Sequence, residues 1–93
     1  MPSNTYKSVW DAIEDSPVEA ENMKIRSALM SEIIDVVTAQ KGTQKVKAEK
    51  LGLTQPRLSE LLNGNIGLFS VDKLIEIASK AGIKVTLKTK KAA

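Results

Sequence analysis

Gln55, Arg57 and Ser59 carry side chains that can form directional hydrogen bonds with a flat polar ligand. The glutamine amide offers a donor and an acceptor side by side, and the arginine guanidinium offers parallel donors. These patterns fit the N6 and N7 edge of adenine and the O6 and N7 edge of guanine, respectively. Gln55, Arg57 and Ser59 are therefore candidates for contacts with nucleic-acid bases.

Two short predicted helices, hinged at Gly52, would position these side chains. Thr43 has the chemistry of an N-cap for the first helix, and glycine readily adopts the left-handed conformation that ends such a helix. Thr54 is a second N-cap, and Pro56 is tolerated in a first helical turn because the amides there have no partner inside the helix. Two helices joined by a short turn containing glycine form a helix-turn-helix, whose second helix enters the DNA major groove by its N-terminal end.

The motif comprises Thr43-Gln44, Ala48, Leu51-Gly52-Leu53-Thr54-Gln55, Leu58-Ser59 and Leu62-Asn63-Gly64. It resembles the lambda-repressor-like (XRE) helix-turn-helix. Over residues 8–88 the chain is similar to the HigA-like antitoxin branch, in which a long helix precedes the motif and a final strand closes the domain. The resemblance implies a mainly α fold of five helices or fewer with a C-terminal β-strand. It also implies an autorepressor that binds a small RNase toxin.

Five polar residues are candidates for phosphate contacts under this interpretation. The segment after the recognition helix often lies along the DNA backbone in helix-turn-helix proteins, which makes Asn65 one of them. Alternatively, Asn63-Gly64-Asn65 is only the C-cap of that helix. The full set of phosphate candidates is Thr43, Gln44, Lys45, Thr54 and Asn65.

The charges of the chain are divided unevenly along its length. Residues 1–41 contain four Lys/Arg and seven Asp/Glu, a net charge of −3, whereas residues 42–93 contain ten and four, a net charge of +6. The basic half contains the helix-turn-helix, and clustered positive charge gives the sequence-independent part of nucleic-acid affinity. A lysine-rich surface maintained for solubility is the alternative.

The composition argues against catalysis. The chain contains no histidine and no cysteine, so the commonest general base, the commonest metal ligand and thiolate chemistry are all absent. We therefore expect no enzyme activity, no metal site and no cofactor. The lack of cysteine fits a cytoplasmic location, and the sequence shows neither a membrane span nor a signal peptide.

The pattern divides the chain into an N-terminal arm (1–16), the helix-turn-helix domain with its strand (17–88) and a basic tail (89–93). The arm could be irregular, a short strand or a helical turn. Its Trp10 could anchor a toxin interface or pack on its own domain.

A long helix is predicted from Pro17, capped by Ser16, to Gln40 or Lys41. Its apolar residues cover about 240° of the helical wheel, far more than the stripe of about 100° that a surface helix needs. It must therefore be covered on two sides. Ile34 and Val37 would lie at a dimer or partner interface, or else in an intramolecular core.

Another helix, capped by Ser70, is predicted to end at Gly82. Residues 83–88 then alternate apolar and polar side chains, the pattern of a half-buried strand. Such a strand needs a partner, either the same strand of a second subunit or residues 5–10. In a dimer, the interface would contain Ile83, Val85 and Leu87, and paired recognition helices would read two half-sites.

The favoured interpretation is a dimeric repressor that binds a double-stranded DNA operator, with an RNase toxin as a further partner. A stand-alone regulator of the same family, without a toxin, is the first alternative. The second keeps the helix-turn-helix as a scaffold and makes the long helix a protein-binding module.

Overall fold

The computed structural model describes residues 17–91. Residues 1–16 and 92–93 lie outside the described part. The predictions made for the N-terminal arm, for Trp10 and for the Ser16 cap therefore fall outside the described residues, as does the end of the basic tail.

Within residues 17–91 the chain forms four α-helices and one short 3-10 helix. This agrees with a mainly α fold. The long helix ends one or two residues earlier than predicted, at Ala39. The helices are α1 (Pro17–Ala39), α2 (Gln44–Leu51), α3 (Gln55–Leu62) and α4 (Val71–Lys80), with the 3-10 helix Ile66–Leu68 between α3 and α4.

The starts of α2, α3 and α4 are each fixed by a hydroxyl cap, as predicted. Thr43 accepts a hydrogen bond from the amide of the residue three positions later at 3.2 Å, and so does Thr54. Ser70 does the same at 3.1 Å. All three cap residues have extended backbone conformations. Each cap satisfies one amide that the helix itself leaves without a partner.

The turn between α2 and α3 is made by Gly52, which has a φ of 70°. Its amide donates to the carbonyl of Glu49 at 3.1 Å, and the amide of Leu53 donates to the carbonyl of Ala48 at 2.8 Å. These bonds satisfy the last carbonyls of α2 in the manner of a Schellman cap. The tight turn sets the crossing of α2 and α3, and this crossing determines where α3 is presented.

The helices enclose one aliphatic core to which each α-helix contributes. Ala48 is buried where α2 meets its neighbours, as expected for a small residue at a close helix crossing. Phe69, directly after the 3-10 helix, is the large aromatic residue of this core. The buried residues are Met30, Ile33, Val37, Ala48, Leu51, Leu58, Leu61, Phe69, Leu74, Ile77, Ala78 and Ala81.

One side of α1 is covered by the chain itself. Val37 is fully buried in this core. Of the two alternatives for this residue, the interface is therefore corrected in favour of the core, because a side chain without accessible surface cannot contact a partner. Ile34 is half-buried and packs against the core. The opposite side of α1, which includes Ile25, remains partly exposed. We predicted that α1 is covered on two sides, and within the described residues it is covered on one.

Residues 83–88 form no strand in the described part of the chain. The predicted ladder is missing because a segment of this kind needs hydrogen-bonding partners on a neighbouring strand, and none lies beside it within residues 17–91. Ile83 packs against the core, whereas Val85 is 44% exposed and Leu87 is 89% exposed. Pairing of this segment across a dimer stays a prediction.

Candidate nucleic-acid interface

Helix α3 presents its polar residues outward because Leu58 and Leu61 anchor its inner face in the core. Gln55 occupies the first helical position and Arg57 the third. Successive residues of a helix are about 100° apart, so Gln55 and Ser59, four positions apart, lie along one edge of α3. Arg57 lies along a different edge. The three predicted base-contact residues are all exposed, but they do not form a single row.

Arg57 has two partners that the sequence analysis did not assign to it. One terminal nitrogen donates to the carboxylate of Glu60 at 3.0 Å, and the guanidinium carbon lies 5.6 Å from the centroid of the Phe69 ring. Both charged side chains keep access to water, at 46% for Arg57 and 39% for Glu60. A guanidinium has five N–H donors, so this arrangement leaves most of them available to a ligand.

The two threonines predicted to contact phosphate already serve as N-caps. In each, the hydroxyl oxygen accepts from a backbone amide, while the hydroxyl hydrogen remains available as a donor. Gln44 and Lys45 are exposed in the first turn of α2, and Lys45 forms no ion pair with any residue between 17 and 91. Helix N-termini with free donors are suited to bind phosphate oxygens.

The backbone of Asn65 belongs to the C-terminal cap of α3, and its phosphate contact stays a prediction. Its backbone amide donates to the carbonyl of Glu60 at 3.1 Å and so completes the C-terminal cap of α3. Its side chain forms no cap hydrogen bond with the 3-10 helix and is exposed. The side-chain amide is therefore available for a contact with the DNA backbone.

Arg26 of α1 positions the loop that follows α3. Its terminal nitrogen donates to the carbonyls of Ile66 at 3.2 Å and Phe69 at 3.5 Å, and its Nε donates to Asn22 at 2.8 Å. No role was predicted for Arg26 from the sequence. No local pattern could have identified it, because its loop partners are 40 and 43 positions away.

The charge of the helix-turn-helix is predominantly basic. Helix α2 carries Lys45, Lys47 and Lys50 against one acidic residue, Glu49. This excess adds a sequence-independent attraction for phosphates. Among residues 17–91 there is no group of three or more residues that could hold a metal ion, and no helix of this part could cross a membrane.

An open apolar groove of about 520 Å³ lies on a second surface, between α1, α4 and the C-terminal segment. Ile25 and Leu29 of α1 line it together with Ile75 of α4, and Ile83, Val85 and Leu87 of the C-terminal segment contribute further apolar side chains. Glu32 and Lys88 also line the groove. The three C-terminal residues predicted for the interface, Ile83, Val85 and Leu87, are therefore brought together here with an exposed part of α1.

Comparison with protein families agrees with this geometry. A family model described as a helix-turn-helix domain matches residues 12–90, a span that contains all four α-helices. No curated protein matches the chain.

Proposed function

Because the chain belongs to this family of helix-turn-helix domains, we propose that it is a dimeric repressor that binds its own operator and acts as the antitoxin of a toxin–antitoxin pair. The family membership itself indicates a DNA-binding regulator. The observation that carries the proposal is the exposed N-terminal end of α3, held by the Thr54 cap and by the buried Leu58 and Leu61.

In this proposal α3 enters the major groove and α2 lies across the DNA backbone. Gln55, Arg57 and Ser59 contact base edges. Thr43, Gln44, Lys45, Thr54 and Asn65 hold phosphates, which set the register but carry no sequence information. The capped first turns and the Arg26 anchor support this assignment, since they fix both flanks of α3 before DNA arrives.

The dimer is proposed to form through the apolar groove and residues 83–88. A second copy of this chain is the proposed occupant, because residues 83–88 of each copy would supply the ladder partner that the other lacks within residues 17–91. Glu32 of the groove would then be complementary in charge to Lys84 and Lys88 of the second copy. Such a two-fold dimer would read half-sites about 34–36 Å apart.

The antitoxin role is supported by the resemblance of residues 8–88 to the HigA-like branch. In this role the protein neutralises a small RNase toxin, represses the shared operon and acts by binding rather than by catalysis. Trp10 and the half-buried Ile34 are proposed partner contacts. A stand-alone regulator would have the same DNA interface and no toxin.

The decisive experiment is fluorescence-anisotropy binding to the DNA upstream of the gene and to scrambled DNA, across a salt series. We expect tighter binding to the upstream DNA at physiological salt. Weak binding that is blind to sequence and falls steeply with salt would refute a specific repressor and favour a protein-binding module. A small ribonuclease that co-purifies with the full chain from its native cells would support the antitoxin role. If no ribonuclease co-purifies, the result would support the stand-alone regulator.

Two substitutions separate base contacts from phosphate contacts. Arg57→Ala should weaken binding to the operator by about 1–3 kcal/mol and reduce discrimination between bases at one position of the operator. Lys45→Ala should weaken binding to all sequences and make the salt slope shallower by about one unit. Lys24→Ala, which removes a positive charge from α1 outside the helix-turn-helix, is the matched control. An equal loss on operator and random DNA would contradict base reading by Arg57.

A further inference from the structure

We propose that Glu60 is a specificity-determining residue that positions Arg57, with the ring of Phe69 as the platform beneath the guanidinium. This inference rests on the proposed DNA-binding function. In this arrangement Glu60 and Phe69 hold the guanidinium so that one pair of its remaining N–H donors can face the O6 and N7 atoms of a guanine.

The geometry constrains the guanidinium in two ways. The 3.0 Å hydrogen bond from Arg57 to the Glu60 carboxylate fixes one terminal nitrogen. The Phe69 ring, 5.6 Å from the guanidinium carbon, favours a cation at its face. A flexible arginine otherwise loses rotamer freedom when it binds a base, so an arginine already held in place loses less on binding.

The platform itself is fixed by the fold. The Phe69 side chain is 2% exposed and belongs to the core. Its backbone carbonyl accepts a hydrogen bond from Arg26 of α1. The orientation of Arg57 is therefore tied to the body of the domain and does not depend on α3 alone.

The ion pair between Arg57 and Glu60 is better suited to DNA recognition than to stabilising the fold. Both partners are substantially exposed, and exposed ion pairs of this spacing contribute little to folding. Glu60 also places a negative charge on the helix that would approach the phosphates, which opposes binding to every DNA sequence equally. The charge therefore raises specificity only by directing Arg57, because the affinity that it removes at every site is recovered where the directed guanidinium meets its base.

The test compares Glu60→Gln with Glu49→Gln, a control that removes one acidic charge from α2 of the same helix-turn-helix. The affinity of each variant is measured for random DNA and for the upstream DNA with each base pair replaced in turn. We expect both variants to bind random DNA at least as tightly as the parent. Only Glu60→Gln should reduce the ratio of affinities for the correct and the replaced base pair, by about fivefold or more, and it should do so at the base pair where Arg57→Ala reduces this ratio.

The double variant Arg57→Ala/Glu60→Gln separates positioning from direct contact. If Glu60 acts through Arg57, the double variant has the base preference of Arg57→Ala alone. The inference is overturned if Glu60→Gln behaves like Glu49→Gln. It is also overturned if the lost preference falls at another base pair, because Glu60 would then contact a base itself. Failure of the proposed function is distinct, since the parent protein would then fail to distinguish its upstream DNA from random DNA.

Discussion

Alanine substitutions at Gly52, Gly64 and Gly67 test whether backbone conformation in the helix-turn-helix limits stability. Gly52 and Gly64 have φ values of +70° and +77°, in the left-handed region, and Gly67 does not. An added Cβ would meet nothing within 4 Å at Gly64 or at Gly67. These two positions therefore differ in backbone conformation and not in available space.

The expected magnitude follows from this comparison. Alanine reduces the conformational freedom of the unfolded chain by the same amount at either position. The difference in unfolding free energy between Gly64→Ala and Gly67→Ala should thus equal the left-handed penalty, about 1–2 kcal/mol. Gly67→Ala should be neutral or stabilising by up to about 1 kcal/mol.

Gly52→Ala adds a steric contact, because the Cβ would lie 2.7 Å from the amine of Lys80. The amine is the end of a flexible side chain, so we expect it to move and to weaken its 3.2 Å ion pair with Glu76. Gly52→Ala should therefore lower stability slightly more than Gly64→Ala. In a Lys80→Ala background the two substitutions should have equal effects.

Urea unfolding monitored by circular dichroism measures these differences as shifts of the midpoint at constant slope. A loss for Gly67→Ala equal to that for Gly64→Ala would refute the conformational reasoning. Fluorescence anisotropy then measures how tightly each glycine variant binds the upstream DNA. A variant that is folded at the assay temperature and retains the crossing of α2 and α3 should bind like the parent.

Three further predictions follow from single contacts. Thr54→Ala should lower stability by about 0.5–2 kcal/mol in urea unfolding because it removes the cap of the Arg57 amide, whereas Thr54→Ser should stay close to the parent. Leu87→Asp should leave the unfolding midpoint unchanged at protein concentrations where the parent is monomeric, since this side chain is 89% exposed. At higher concentrations it should weaken the dimer in sedimentation experiments, and unchanged association would exclude Leu87 from the interface. The hydrogen bond from Lys80 and the charge of Lys73 lower the pKa of Glu76, so its contribution to stability is present at neutral pH and is lost as pH falls through that pKa. Glu76→Gln should therefore be less stable than the parent at pH 7, and thermal unfolding should show the difference closing in acid.

The starts and ends of the short helices were predictable from the sequence because the interactions that fix them lie within a few residues. Hydroxyl caps act on an amide three positions later, and glycine ends α2 through its own φ. Thr43, Gly52 and Thr54 therefore defined α2 and α3 from the sequence. The spacing of the apolar residues Leu58 and Leu61 defined which face of α3 is buried and which is exposed.

Contacts between distant parts of the chain were decided only by the tertiary structure. The sequence analysis left Val37 open between core and interface, and packing against the other helices placed it in the core. The predicted strand over 83–88 has the correct alternation but no neighbour to pair with in the described residues. Arg57 lies over the ring of Phe69, and Arg26 reaches a loop 40 positions away. Side-chain partners of this kind leave no periodic pattern, since they depend on how the helices cross. The sequence thus determined which residues α3 exposes, and the fold determined how they are held.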